Sequence, residues 1–313
     1  MITIRIVRFG RESYYLKAEA EDMGLGEYAG SGAARLGLTG EPREEDLRLL
    51  LLGYDPIRRT NLRLREPYER RCIDPETGRE KVYRPVLAYD LVANAPKDVS
   101  ILMALPETRE IAIKLHSQAL KAIQKPLESY CLISNRKQKQ HIKAQPIIVI
   151  QTHTVNRDLE PHLHSHCLVL ATGVLSNNRG AALESRKLLK AALPLGQIYR
   201  DKLRFLIEKE LNLETFRIRL RKGESFGIKG IPEELRAKFS SRSDEICEYV
   251  RQTEAKTGKA PSATAVRLRV LQTRQPKCEA VDRDALVLSW QNVALAHELT
   301  RENLEIERKA YER

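Results

Sequence analysis

Two runs of β-branched and apolar residues, PIIVIQTHTV (146–155) and HLHSHCLVLA (162–171), flank the polar segment NRDLEP (156–161). Such runs joined by turn chemistry read as an antiparallel hairpin, and a hairpin commits the surrounding chain to an antiparallel sheet. Alternate residues of a strand share one face. His164 and His166 therefore point the same way, with His162 in line beside them, and folding back through the turn brings His153 across from them. Four of the chain's seven histidines gather on one patch of sheet. Three imidazoles drawn from two paired strands suit a divalent metal whose remaining positions stay open to substrate. A polar strand face with solvated histidines is the plain alternative. A structural zinc fits less well, because such sites use four protein ligands, often cysteine, and Cys167 points to the opposite side of its strand from His166.

The rest of the chain supplies a setting for that hairpin. Strands are predicted at ITIRIVR (2–8), RPVLAYDLVANAP (84–96, stopped by Pro96) and TFRIRL (215–220). A short polar helix carrying Tyr14 and Tyr15 leads into the glycine-rich GLGEYAGSGAARLGLTGE (24–41), and PIRRTNLRLREPYERR (56–71) reads as a basic loop. A helix is expected over about 100–125, broken or restarted at Pro106. Pro194 opens a long amphipathic helix through Leu211, and after about residue 230 the pattern is helical and highly charged. The predicted fold is α+β: residues 1–234 on a five-stranded antiparallel sheet with helices packed on it, and 235–313 as an all-helical extension. The 54 Lys and Arg against 42 Asp and Glu leave a net charge of +12, which favours a polyanionic partner. No apolar run reaches the roughly 18 residues of a membrane span, and MITIRIVRFG lacks the apolar core of a secretory signal, so a cytoplasmic protein is expected. Cys72, Cys131, Cys167, Cys247 and Cys278 show no paired spacing and read as reduced thiols.

HTVNRDLEPHLHSHCLVLATG (153–173) resembles the three-histidine motif of conjugative relaxases of the relaxase–helicase class, members of the histidine–hydrophobe–histidine nucleases. Other blocks agree in order. SYYL (13–16) with the glycine-rich stretch resembles their N-terminal tyrosine segment, and YDLVANAPKDVSILMAL (89–105) their strand ending in an Ala-Pro-Lys-x-Val-Ser turn. LPLGQIYRDKLRFLIEKEL (193–211) and GIPEELRAKFSSRSDEI (230–246) resemble their later helices, so the likeness covers nearly the whole chain. It implies nicking and religation of one DNA strand at a plasmid transfer origin through a covalent 5′-phosphotyrosyl intermediate. It also implies a divalent metal, magnesium or manganese in function, in a site that zinc, nickel or cobalt could occupy. The implied partners are single-stranded origin DNA and accessory relaxosome proteins. Relaxases of this class often continue into a helicase.

By the same match, His153, His164 and His166 are the metal ligands and His162 a rim residue. Tyr14 aligns with the nucleophile and Tyr15 is its neighbour. Asp90 stands where relatives carry an acid that holds a ligand imidazole and could help deprotonate tyrosine, and Arg157 aligns with a DNA-contacting arginine. Several relatives carry a second tyrosine or tyrosine pair about eight residues on, where this chain has Asp22-Met23-Gly24, which argues against a mechanism with two distant tyrosines. The chemistry of a phosphodiester leads the same way. A metal held by neutral imidazoles keeps its charge for the non-bridging oxygen, and a tyrosine ester stores the bond for religation. Lys97 and the arginine pairs at 58–59 and 70–71 are further candidate phosphate contacts. An open sheet cannot enclose a strand, so the helical extension is expected to close over DNA, with Arg242 among its contacts. A rolling-circle replication initiator, a non-catalytic DNA-binding module with a structural metal and a three-histidine zinc hydrolase are the competing readings.

Overall fold

A computed structural model describes residues 2–16, 26–63, 67–135, 138–273 and 282–304, leaving aside the side chains of Tyr14, Ser243, Ala263, Arg267 and Leu271. The main sheet is antiparallel and contains β1 (Ile2–Arg8), β2 (Glu27–Ala29), β3 (Val86–Asn94), β4 (Gln145–Val155), β5 (Pro161–Val174) and β6 (Gly180–Ala182). Its order is β1-β3-β5-β4-β2, with short β6 as a sixth strand beside β5. The fifth strand is Glu27–Ala29 of the glycine-rich stretch and not the predicted 215–220, which pairs in a separate hairpin. The histidine hairpin is β4 and β5, at the centre of the sheet. Edge strand β2 explains the glycines before and after it. A Cβ on Gly26 (φ 94°) would stand 2.1 Å from the Ile150 carbonyl oxygen, and one on Gly30 (φ 87°) 2.4 Å from that of Pro146. Only a chain without Cβ atoms at these positions can lie so close against β4.

Period-2 alternation divides the sheet into two apolar layers. Leu168 and Leu170 of β5, with Ile147 and Val149 of β4, meet Tyr15 and Leu16 of α1 (Ser13–Leu16), Leu36 of α2 (Ser31–Leu36) and Leu47 and Leu50 of α3 (Glu44–Leu52). On the other face, Leu163, Cys167 and Val169 join a larger core, reached from β3 through α4 (Lys97–Ile101) and a single 3₁₀ turn, Leu102–Ala104. Pro106 then restarts the helix at the first position of α5 (Pro106–Glu128), where its missing N–H is not needed. That helix packs with α6 (Ala192–Glu210) against the sheet. The predicted basic loop at 56–71 contributes strand residues Thr60–Asn61 and Arg70–Ile73 to two small hairpins, pairing with Tyr54–Asp55 and Glu80–Tyr83. Strand β7 (Thr215–Arg219) pairs with β8 (Glu224–Ile228).

The C-terminal part is helical, as α7 (Glu233–Lys238), α8 (Ser241–Thr257), α9 (Ala263–Gln272) and α10 (Arg283–Ala296). It does not stand apart as one unit. Leu235, Phe239, Val287, Trp290, Ala294, Leu299 and Leu304 all belong to the core beneath the sheet. Between them, no described side chain of residues 241–273 is buried. The part of the expected 235–313 extension that adds no described side chain to that core is α8 and α9.

Candidate active site

The row of even-numbered residues on β5 changes character along the strand. Leu168 and Leu170 are core, whereas His162, His164 and His166 line the end of the same face. His153 pairs directly with His164 across the hairpin, and Gln151 pairs with His166. The ring centres lie 5.2 Å apart for His153 and His164, 5.5 Å for His153 and His166, and 5.5 Å for His164 and His166. An ion about 2.1 Å from one nitrogen of each ring, with bonds about 110–120° apart, would set three ring centres roughly 5.3–5.6 Å apart. The three rings thus fit a single ion by spacing. Among the described residues, no group of three or more His, Cys, Asp or Glu side chains is oriented to hold a metal ion as it stands. Strand register sets the spacing of the rings, and the ring torsions set where each nitrogen points. His162 stands beside the set, its ring centre 4.7 Å from that of His164.

Asp90 ties the cluster to the N-terminal helix. It lies on β3, buried, with one carboxylate oxygen 2.8 Å from Nδ1 of His166 and the other accepting the Tyr15 hydroxyl at 2.8 Å. A carboxylate on Nδ1 holds that nitrogen protonated, directs Nε2 to a metal and raises its basicity. Nδ1 of His164 is likewise engaged, 2.9 Å from the carbonyl oxygen of His162. Burial first, then the neighbouring His162, hold His164 well below the ordinary imidazole range. Burial, assisted by Lys97, takes His162 down to about 4. Both rings are neutral near pH 7, the state a metal ligand requires. The Tyr14 side chain and Asp22, Met23 and Gly24 lie outside the described residues.

With this geometry in place, likeness to known proteins is informative. The family model described as TrwC relaxase matches residues 6–297. The chain belongs to the TrwC relaxase family. It is 27% identical over 293 residues to the multifunctional conjugation protein TraI of Escherichia coli (strain K12), a match covering 90% of this chain. The chain spans 15% of that relative's length. A metal-bound structure of the conjugative relaxase TrwC with OriT DNA superposes with a TM-score of 0.75 at 25% identity, covering 96% of this chain and 100% of that one. A metal-free TrwC–OriT complex gives 0.74 at 25% identity with the same coverage.

The other predicted relaxase residues have varied surroundings. Arg157 sits half-buried in the turn between the histidine strands. Lys97 is half-buried, its ammonium donating to the carbonyl oxygens of Pro161 at 3.3 Å and Phe239 at 2.5 Å, and burial lowers its pKa. Arg242 donates to Glu245 at 2.5 Å and to the carbonyl oxygens of Thr273 at 3.0 Å and Val270 at 2.5 Å, so it staples α8 to the end of α9. Arg58, Arg59 and Arg71 pair with Asp55, Glu45 and Glu69, while Arg70 lies 5.2 Å over the Tyr83 ring.

Sequence reasoning missed Gln151 and Glu160. Gln151 lies two residues before His153, hence on its face, and its amide is 3.5 Å from the Tyr15 carbonyl oxygen. Buried Glu160 accepts from the Ser241 amide at 2.9 Å, the Ser241 hydroxyl at 2.5 Å and Asn156 at 2.7 Å, joining the histidine turn to the start of α8. The Trp290 indole donates to the Leu159 carbonyl at 2.8 Å in the same turn. An acid beside the motif was a signal for Glu160; nothing local pointed to its partner.

Proposed function

We propose that this chain is the nicking domain of a conjugative relaxase. It cleaves one DNA strand at a transfer origin, carries the 5′ end on a tyrosine and rejoins it. The observation that carries this reading is Asp90 held between the Tyr15 hydroxyl and His166 within a three-histidine cluster, in a chain of the TrwC relaxase family. A TrwC structure of the same fold holds both a metal and OriT DNA.

A divalent ion on His153, His164 and His166 would supply positive charge against a non-bridging oxygen of the scissile phosphate. Magnesium or manganese is the working ion we assign, with zinc, nickel and cobalt able to bind the same rings. Tyr14 is assigned as nucleophile from its place in SYYL. Its oxygen bonds to phosphorus, the bond from phosphorus to the 3′ oxygen breaks, and that oxygen leaves with a proton. One phosphate ester replaces another, so the bond energy needed for religation is retained. Tyr15 is assigned to hold Asp90, because its hydroxyl already donates to that carboxylate. Asp90 in turn orients His166. Arg157 is proposed to meet DNA beside the histidine strands, whereas Lys97 and Arg242 act through packing. The partners in this reading are single-stranded transfer-origin DNA, to which a net charge of +12 is suited, and accessory relaxosome proteins, in the cytoplasm. No described helix is long and apolar enough to cross a membrane.

The test incubates the protein and a divalent metal with end-labelled single-stranded oligonucleotides from candidate transfer origins. A covalent adduct mapping to Tyr14, lost in Tyr14→Phe with DNA affinity retained, is expected. An adduct on Tyr15 would exchange the two roles. Binding without any adduct across metals and origins would leave a non-catalytic DNA-binding module.

A further inference from the structure

Behind the histidine face, on the opposite side of the sheet, runs a chain of polar groups that the proposed chemistry does not use. His116 of α5 is fully buried (0% exposed), as are Tyr199 of α6 and Ser165 of β5. Nδ1 of His116 lies 2.6 Å from the Tyr199 hydroxyl, and Nε2 lies 2.8 Å from the Ser165 hydroxyl. Ser165 is in turn 2.8 Å from the hydroxyl of Thr152. Thr152 and Ser165 face each other across β4 and β5, and their rung lies between His153 with His164 and Gln151 with His166. The network therefore bonds the two ligand strands to each other and to both covering helices at the rung between the ligand rungs.

A one-residue slip of β4 against β5 would turn His153 to the face opposite His164 and His166. Apolar packing resists such a slip only in part, because Ile and Val rows tolerate neighbouring registers. A buried hydrogen-bonded chain does not, since each group displaced from its partner is left desolvated and unpaired. We propose that His116, braced by Tyr199, fixes the register and depth of the two histidine strands through Ser165 and Thr152, and so positions the rings of His153, His164 and His166 for a metal. This rests on the three-histidine reading, and His116 and Tyr199 are positioning residues in it, touching neither metal nor DNA.

Cobalt(II) titrated alone into metal-free protein tests the idea, with affinity and the visible d–d band as readouts. His116→Leu, checked for folding by near-ultraviolet circular dichroism, is expected to weaken cobalt binding about tenfold or more, as loss of supporting bonds at metal sites does, and to shift the band. His116→Gln, whose amide nitrogen reaches towards the Nε2 position, restores most of the affinity. Leu203→Ala, a core change on the helix of Tyr199, controls for lost stability and leaves cobalt binding intact. If His116→Leu binds cobalt as tightly as the parent with the same band, or weakens it no more than Leu203→Ala, the proposal is overturned. Hydrogen exchange of the metal-free proteins decides independently of any metal. Amides of 152–153 and 164–166 should lose protection in His116→Leu about tenfold relative to 147–150, and unchanged protection overturns the proposal. Should the parent bind no cobalt, the metal reading falls and exchange alone judges the register lock. If His116→Leu does not fold, Tyr199→Phe carries the same measurements.

Discussion

Asp90→Asn is the substitution that separates a site organised around a carboxylate from a polar cluster that merely collects histidines. It preserves volume and removes only the charge and one acceptor. In the structure both carboxylate oxygens are engaged at 2.8 Å, one with Nδ1 of His166 and one with the Tyr15 hydroxyl, and Asp90 is 2% exposed. An amide cannot accept from both. If its oxygen faces Nδ1, its NH₂ meets the Tyr15 hydroxyl, which must rotate away. If its NH₂ faces Nδ1, the imidazole proton moves to Nε2, the nitrogen a metal would use. Hydrogen bonds to a charged group contribute about 1.5–3 kcal/mol net. Changes to groups that support metal ligands weaken metal binding about 10–100-fold, or about 1.4–2.7 kcal/mol. The expected result is thus a metal affinity lower by about 10–100-fold in a calorimetric titration of manganese or cobalt, with oligonucleotide cleavage falling in step and DNA affinity retained. Metal affinity and cleavage both within twofold of the parent would refute the reasoning and return Asp90 to an ordinary buried acid.

Replacing residues 244–273 by a flexible linker should leave the sheet folded but weaken single-strand binding and flatten its dependence on salt; the same affinity and slope, by fluorescence anisotropy, would show that α8 and α9 do not hold DNA. Removing 235–313 instead takes Phe239, Trp290 and Leu299 from the core, at about 2–5 kcal/mol for each large side chain, and the remainder should fail to fold by circular dichroism. Glu160→Ala removes the carboxylate that accepts from the amide and hydroxyl of Ser241. It should lower stability by about 0.5–2 kcal/mol and open α8 to protease, and an unchanged digestion rate would refute this. Burial holds His116 at about 3 when folded, against about 6.5 when unfolded. Between those values the unfolded chain binds the extra proton, so the stability contributed is complete above pH about 6.5 and falls as pH drops, by at most about 1.4 kcal/mol per unit. His116→Leu should therefore lose stability less steeply than the parent in urea unfolding from about pH 6.5 to 4.5, and parallel slopes would rule the titration out.

The histidine hairpin was legible because everything it needs is local. Period-2 alternation, β-branched residues and a polar turn lie within residues 146–171, and spacing alone puts His164 and His166 on one face. Pro106 opening α5 and Pro96 preceding α4 were readable for the same reason, since proline acts on its own φ and its immediate neighbours. The relaxase blocks also assigned Asp90 a partner among the histidines, but not which one, and they left Tyr14 and Tyr15 to be told apart. Tertiary structure decided those matters. Tyr15 reaches Asp90 across 75 positions of chain and His116 reaches Ser165 across 49. Arg242 and Lys97 look like any surface cation in sequence, and only the packing of α8, α9 and the histidine turn turned them towards backbone carbonyls. Strand period and turn chemistry depend on dihedral preferences within a few residues. A side-chain hydrogen bond between elements depends on how those elements dock, and docking is set by the sum of many apolar contacts over the whole core, which no short stretch of sequence contains.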